Sequence, residues 1–227
     1  MKKTILFLLT SVILFSFTPG EKPFEGKVVY KMELEGDFMS MLKPYLPESY
    51  TFMFKNDNVK VEIKGGLLEM VMGTILVTKS NEAFVLNTEK KTASKLPQAD
   101  KNTIIDSSGA PKVTKLNETD IILGYQCQKY KIVQNEGGNE IVQYIWATPD
   151  LNIKLKGLEN TGIPGTFNFN GINAFPLKIE MLVNQMGFDM NLVFYASSIK
   201  KEKYKNNEFE IPADYTIKEF ENNILNF

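Results

Sequence analysis

Few side chains in this sequence could perform catalysis, because its 227 residues include no histidine and all 26 basic residues are lysine. Without histidine, a Ser-His-Asp or Cys-His triad cannot form, and the commonest zinc, copper and nickel ligand is missing. Without arginine, no planar guanidinium can hold a phosphate or carboxylate group in bidentate fashion. Carboxylates, lysines, tyrosines and one thiol remain.

Paired carboxylates could hydrolyse a glycoside. Here the acidic residues mostly alternate with apolar ones along predicted strands, which indicates that they face solvent. We therefore predict that the protein is not an enzyme, and we expect no catalytic residues, no cofactor and no metal site.

The sulfur-containing residues leave alternatives open. Cys127 is the single cysteine, so it forms no intramolecular disulfide; it is predicted to be a small buried apolar residue, and a reactive or intermolecular thiol is the alternative. The methionines could fill an ordinary core, line a pocket that accepts variable apolar shapes, or supply thioether ligands to Cu(I). They concentrate in three segments, containing Met39 and Met41, Met70 and Met72, and Met181, Met186 and Met190.

The first twenty residues have the pattern of a secretory signal peptide. Lys2 and Lys3 precede an apolar run from Ile5 to Phe17, which ends at Pro19 and Gly20. We expect cleavage after Gly20 and a single β-rich domain over residues 21–227; an uncleaved N-terminal anchor is the alternative. The predicted location is the periplasm, or the extracellular space.

The predicted mature chain is acidic. The formal net charge of −1 becomes −3 when Lys2 and Lys3 are removed. This balance argues against nucleic-acid or anionic-membrane binding, which requires a concentrated basic face. Since no later segment approaches the roughly 18 consecutive apolar residues of a membrane-spanning helix, we expect a soluble protein with no stable membrane insertion.

Apolar and polar residues alternate with a period of two along most of the chain, which predicts β-strands. Val28–Glu35 and Val59–Lys64 both show this alternation, and Tyr50–Phe54 places its aromatic residues on one face. Asn56-Asp57-Asn58 predicts a turn that joins two of these strands in a hairpin. Further strands are predicted at Gly73–Thr78, Ala83–Asn87, Lys112–Glu118, Gln126–Gln134, Glu140–Thr148, Leu177–Asn184 and Phe188–Ser198.

Short connections between these strands favour an antiparallel meander. Helix is scarce in the prediction, and the acidic segment Thr216–Leu225 is one candidate.

Five stretches of the sequence form a recognisable series of motifs. The run ILGYQCQKY (Ile122–Tyr130) is followed by YIWATPDLN (Tyr144–Asn152) and then by NAFPLKIE (Asn173–Glu180). FEGKVVY at Phe24 and FEIPADY (Phe209–Tyr215) open and close the series. Together these stretches resemble an envelope family known as domain of unknown function 4412, which is similar in turn to the lipoprotein carriers LolA and LolB. The resemblance implies a mainly β, LolA-like fold: a curved antiparallel sheet that forms an unclosed half-barrel, with a few short helices over a lipid-accepting cavity.

Two functions from different classes follow. The first is a non-catalytic periplasmic binding or carrier protein whose partner is a lipid or another apolar small molecule. The second is an envelope interaction module with a filled core and no small-molecule ligand. For the first, the residues predicted to cover or line the cavity are Phe38, Met39, Met41, Leu42, Phe52, Phe54, Trp146, Met181, Phe188 and Met190.

Overall fold

A computed structural model describes residues 23–35, 43–97, 111–136, 139–153, 171–185 and 188–220. The predicted signal peptide, residues 1–20, lies outside this part of the chain. So do four of the predicted cavity residues: Phe38, Met39, Met41 and Leu42.

Twelve strands and three short helical segments make up the described structure. One α-helix, α1, spans Gly66–Met72, and two 3-10 helices span Lys43–Tyr45 and Asn206–Phe209. The strands are β1 (Gly26–Glu35), β2 (Ser49–Lys55), β3 (Asn58–Lys64), β4 (Thr74–Val77), β5 (Ala83–Asn87), β6 (Thr92–Lys95), β7 (Lys112–Ile122), β8 (Tyr125–Glu136), β9 (Asn139–Thr148), β10 (Phe175–Gln185), β11 (Phe188–Lys201) and β12 (Thr216–Glu219).

All twelve strands belong to one sheet, in the order β12-β6-β5-β4-β3-β2-β1-β11-β10-β9-β8-β7. Two meanders, β1 to β6 and β7 to β11, are joined because β1 pairs with β11. Every pairing is antiparallel except that of β12 with β6, which is parallel. Strands β7 and β12 form the two edges, so the sheet is unclosed, as predicted.

The sheet curves strongly around one apolar face. Phe54 on β2 and Phe175 on β10 are three strand positions apart, which corresponds to about 14 Å in a flat sheet. Their ring centroids are nevertheless 5.9 Å apart. The two side chains can meet only because the strands between them bend, so this face is concave.

Most of the predicted strands are confirmed, including the β2–β3 hairpin, in which Asn56 adopts a positive φ of 54°. The helix predicted at Thr216–Leu225 is wrong over its first four residues, which form β12 beside β6. Helix α1 was not predicted. None of the described helices is both long and apolar enough to cross a membrane.

Candidate functional site

A cluster of aromatic rings fills the middle of the concave face. The ring of Tyr30 stacks on that of Phe194 at 4.7 Å and meets Phe52 edge-on at 5.4 Å. Phe54 contacts Phe175 on one side and Phe52 on the other. Because these side chains are almost fully buried, the centre of the face is closely packed.

Two tyrosines in this cluster have different hydrogen bonding. The Tyr30 hydroxyl donates to the carbonyl oxygen of Pro176 at 2.5 Å. The Tyr50 hydroxyl is also buried, yet it has no hydrogen-bond partner in the described structure. Burial raises the pKa of Tyr50 to about 12 and that of Tyr30 well above its usual value, so both hydroxyls stay protonated at neutral pH.

A cavity of about 360 Å³ opens at one end of the concave face, where β1 and β8 begin and β9 and β11 end. This volume lies within the range of small-molecule sites. The wall combines apolar rings and aliphatic groups with a few charged side chains. Its lining residues are Pro23, Phe24, Glu25, Tyr125, Asp150, Leu151, Asn152 and Lys201.

Phe24 lines both this cavity and a second, smaller void. The second void, of about 20 Å³, is also lined by Phe54, Ile153 and the exposed turn residues Asn56 and Asp57. The Phe24 ring is 7% exposed and meets the Phe54 ring edge-on at 6.1 Å. Its backbone N–H donates to the carbonyl oxygen of Asn152 at 3.0 Å. Phe24 is therefore fixed at the boundary between the cavity and the concave core.

The charged groups around the cavity are partly neutralised. Glu25 accepts hydrogen bonds from the Lys55 ammonium at 2.7 Å and from the Tyr204 backbone N–H at 2.9 Å. The hydrogen bond from Lys55, followed by that from Tyr204, lowers the pKa of Glu25. Glu25 is thus an ionised, structurally engaged carboxylate. Asp150 and Lys201, both exposed, are the other charged residues of the wall.

The structure brings three predicted cavity residues to the concave face. Phe52 and Phe54 are each 3% exposed and belong to the aromatic cluster. Met181 is partly buried and packs against the same core. Of these, Phe54 borders a described cavity, the small void behind Phe24.

Trp146 lies on the opposite, convex face of the sheet. It alternates along β9 with Ile145, which pairs with the core residue Ile179. Lys129 and Lys178 are its direct neighbours on β8 and β10, and their ammonium nitrogens lie 4.8 and 4.7 Å from the centre of its ring. Trp146 is 9% exposed and belongs to the connected cluster of buried apolar residues, and the two lysines cover part of its ring.

The last two predicted cavity residues, Phe188 and Met190, lie on β11, opposite Gln185 and Val183 respectively. In the Met-x-Met pair on α1, Met70 is 82% exposed whereas Met72 is buried in the core. Among the described residues, no group of three or more Cys, Asp or Glu side chains is arranged to hold a metal ion.

Cys127 is fully buried. Its thiol lies 3.5 Å from the carbonyl oxygen of Tyr125, and burial raises its pKa to about 11. The thiol is therefore protonated at neutral pH, as expected for an apolar structural residue.

Sequence reasoning missed the residues that enclose the cavity, notably Phe24, Tyr125 and Leu151. Phe24 and Tyr125 stand in motifs that carry the family resemblance, but those motifs indicated structure rather than a site. The signal that could have found them is the pairing of the first and last long strands, which brings Phe24 to Lys201.

A further cavity, of about 540 Å³, lies among surface turns and has walls of mixed polar and apolar character. It is lined by Asn56, Asn58, Thr78, Lys79, Ser80, Asn206, Phe209, Glu210 and Ile211.

Comparison with curated proteins yields no significant match. Among solved structures, that of PNGF-II in space group C2 is similar to this chain with a TM-score of 0.48 and 16% sequence identity. The similarity covers 86% of this chain and 31% of PNGF-II, so the chain spans about a third of that protein's length. The family model for the domain of unknown function DUF4412 matches residues 35–215, and the chain belongs to that family.

Proposed function

We propose that the protein is an exported, non-catalytic binding protein for a lipid or another apolar small molecule, which enters the cavity beside Phe24. The observation that carries this proposal is the open cavity of about 360 Å³ at the end of the concave face, where the Phe24 ring lines the cavity and packs on Phe54 of the apolar core.

The wall of this cavity exposes both polar and apolar surface, with the polar part somewhat larger, which suits a ligand that has an apolar portion and a polar end. Phe24, Tyr125 and Leu151 offer apolar surface, whereas Lys201 and Asp150 lie where a polar group would reach solvent. Each methylene group removed from water contributes about 0.8 kcal/mol. Half a dozen methylenes would therefore give measurable affinity without arginine.

The chemistry of the described side chains supports a non-catalytic role. Glu25 is held by Lys55 and by the backbone of Tyr204. The Cys127 thiol is buried and protonated. The other ionisable side chains of the cavity wall are Tyr125, Asp150 and Lys201, and the last two are exposed to solvent.

The test is to purify the protein under native conditions, extract it with organic solvent and look for lipid, then titrate it with a fluorescent fatty acid. Phe24→Leu removes the ring from the cavity wall and should change the affinity by about fivefold or more. Phe84→Leu is the matched control, because Phe84 is equally buried but lies outside the concave core. Empty extracts with no saturable titration would disprove the proposal.

The interaction module is the second candidate, and the packing of the aromatic cluster favours it. Such a module would engage a partner through an open edge of the sheet, and the edge strand β7 is irregular. The register between β7 and β8 shifts between Lys115 and Thr119, and the Gln128 side-chain amide donates to the Leu116 and Glu118 carbonyl oxygens. Bulged edges of this kind resist strand addition.

A further inference from the structure

The turn between β7 and β8 has an unusual sequence for its geometry. Leu123 and Gly124 have φ values of 51° and 84°, so both lie in the left-handed region. Two-residue hairpin turns of this type strongly prefer Asn-Gly, since asparagine tolerates positive φ better than leucine. Leu123 is therefore conformationally unfavourable at this position.

The same turn exposes apolar surface. Ile121 is 68% exposed and Leu123 is 46% exposed. A side-chain carbon added at Gly124 would meet no atom within 4 Å, so the tip projects into solvent. Ile122 between them packs against the core, whereas large parts of Ile121 and Leu123 stay in contact with solvent.

This apolar tip adjoins the cavity entrance. Tyr125, the residue after the turn, lines the 360 Å³ cavity together with Lys201. Lys201 belongs to a segment in which Lys200, Lys203 and Lys205 are also exposed. Apolar and cationic surfaces therefore flank one opening.

Acidic residues also occur nearby. Glu202 is ion-paired with Lys27 at 3.0 Å, and Glu25 is ion-paired with Lys55. Asp120 and Asp150 remain on the side of the hairpin. Residues 200–205 contain four lysines and one carboxylate, Glu202, so this segment has a net positive charge although the whole chain is acidic.

We propose that the tip formed by Ile121 and Leu123 inserts into the surface of a lipid bilayer while the lysines at residues 200–205 contact its head groups. The cavity entrance then faces the bilayer from which a ligand is taken or to which it is delivered. This proposal rests on the proposed function, because the bilayer would be the source or destination of the ligand. The residues that contact the bilayer are nevertheless different from those that bind the ligand.

A bilayer fits this surface better than a protein partner. Two aliphatic side chains are far smaller than the apolar centre of a typical protein interface, and lysine is depleted in such interfaces. Shallow apolar insertion combined with lysine contacts is the usual mode of peripheral membrane binding.

The experiment measures flotation with vesicles of phosphatidylcholine, with and without phosphatidylglycerol. Leu123→Asn should weaken vesicle binding by about fivefold or more, while its hairpin stays folded because asparagine suits the turn. Leu182→Asn is the control, because Leu182 is 50% exposed on β10 but pairs with Val142 and Asn191, away from the cavity. The double variant Lys200→Glu, Lys203→Glu should lose binding selectively to vesicles with phosphatidylglycerol.

Absence of vesicle binding by the unmodified protein would overturn the proposal. Equal binding by Leu123→Asn and Leu182→Asn would also overturn it. So would binding of the double lysine variant that is as strong as that of the unmodified protein and does not depend on salt. Titration with a fluorescent fatty acid in vesicle-free solution separates the two proposals, since Leu123→Asn should keep the unmodified affinity there.

Discussion

Tyr30 and Tyr50 are direct cross-strand partners on β1 and β2, yet only the Tyr30 hydroxyl has a hydrogen-bond acceptor among the described residues. Both rings contact Phe194. The two hydroxyl groups are chemically identical and lie in the same apolar surroundings. Removing each in turn therefore distinguishes the contribution of one hydrogen bond to stability from that of ring packing.

We predict that Tyr30→Phe lowers the free energy of unfolding by about 1–3 kcal/mol, because it leaves the buried Pro176 carbonyl without its donor. Tyr50→Phe removes an unpaired buried hydroxyl and should be neutral or stabilising. Urea denaturation of both variants measures the difference. Equal losses of stability would contradict this assignment of the hydrogen bond.

The sequence predicted the fold well where alternation was regular. In β2 and β3, residues alternate without interruption, and the structure confirms their hairpin. Helix α1 has only seven residues and begins after Gly65, which is too short to show a helical period. Strand β12 has four exposed residues, so no alternation distinguishes it from a helix; its partner β6 determines its structure.

The site was harder to predict than the fold. Phe52, Phe54 and Trp146 were all predicted to line the cavity, yet Trp146 lies on the face opposite the two phenylalanines. Which face of a strand turns inward depends on how the sheet curves, and the sequence does not specify that curvature. Phe24 escaped notice because its neighbours around the cavity, Tyr125 and Leu151, are more than a hundred residues away in sequence.

Two glycines should respond differently to alanine. A side-chain carbon at Gly26 would collide with the Lys200 carbonyl oxygen and lie 2.8 Å from the Phe24 ring. At Gly124 the space is open and only the positive φ opposes substitution. We therefore expect Gly124→Ala to cost about 1 kcal/mol and Gly26→Ala to cost roughly 3 kcal/mol or more. Thermal unfolding measures both, and a milder effect at Gly26 would contradict the β1–β11 geometry.

Trp146 offers a probe of the convex face because it is the only tryptophan. Two lysine ammonium groups lie within 5 Å of its ring centre. Replacing Lys178 with Met keeps most of the aliphatic stem but removes the charge. The variant loses both the contact with the Trp146 ring and the ion pair with Glu180 at 2.6 Å, and should cost about 0.5–1 kcal/mol. Lys31→Met is the control, because Lys31 lies next to Tyr195 in the sheet rather than next to Trp146. The fluorescence of Trp146 reports unfolding in both variants, and equal midpoints would argue against the contact.

Cys127 should make stability depend on alkaline pH. Burial raises the pKa of its thiol from 9.0 to about 11. Between these values the unfolded chain loses the thiol proton while the folded protein keeps it. The contribution of Cys127 to the free energy of unfolding is therefore fully present below about pH 9 and decreases as the pH rises toward 11. The loss attributable to the thiol is of order 1 kcal/mol by pH 10.

Cys127→Ala tests this directly, because it removes the thiol and leaves the tyrosines unchanged. The variant should be less stable than the original protein at pH 7, since it leaves a small cavity. It should lose less stability between pH 8 and about pH 10.5 when both are unfolded in urea. The native thiol should also react slowly with a thiol reagent at pH 8 and rapidly in denaturant. Fast reaction in the folded protein, or identical pH dependence for the two proteins, would show that Cys127 is an accessible thiol rather than a buried apolar residue.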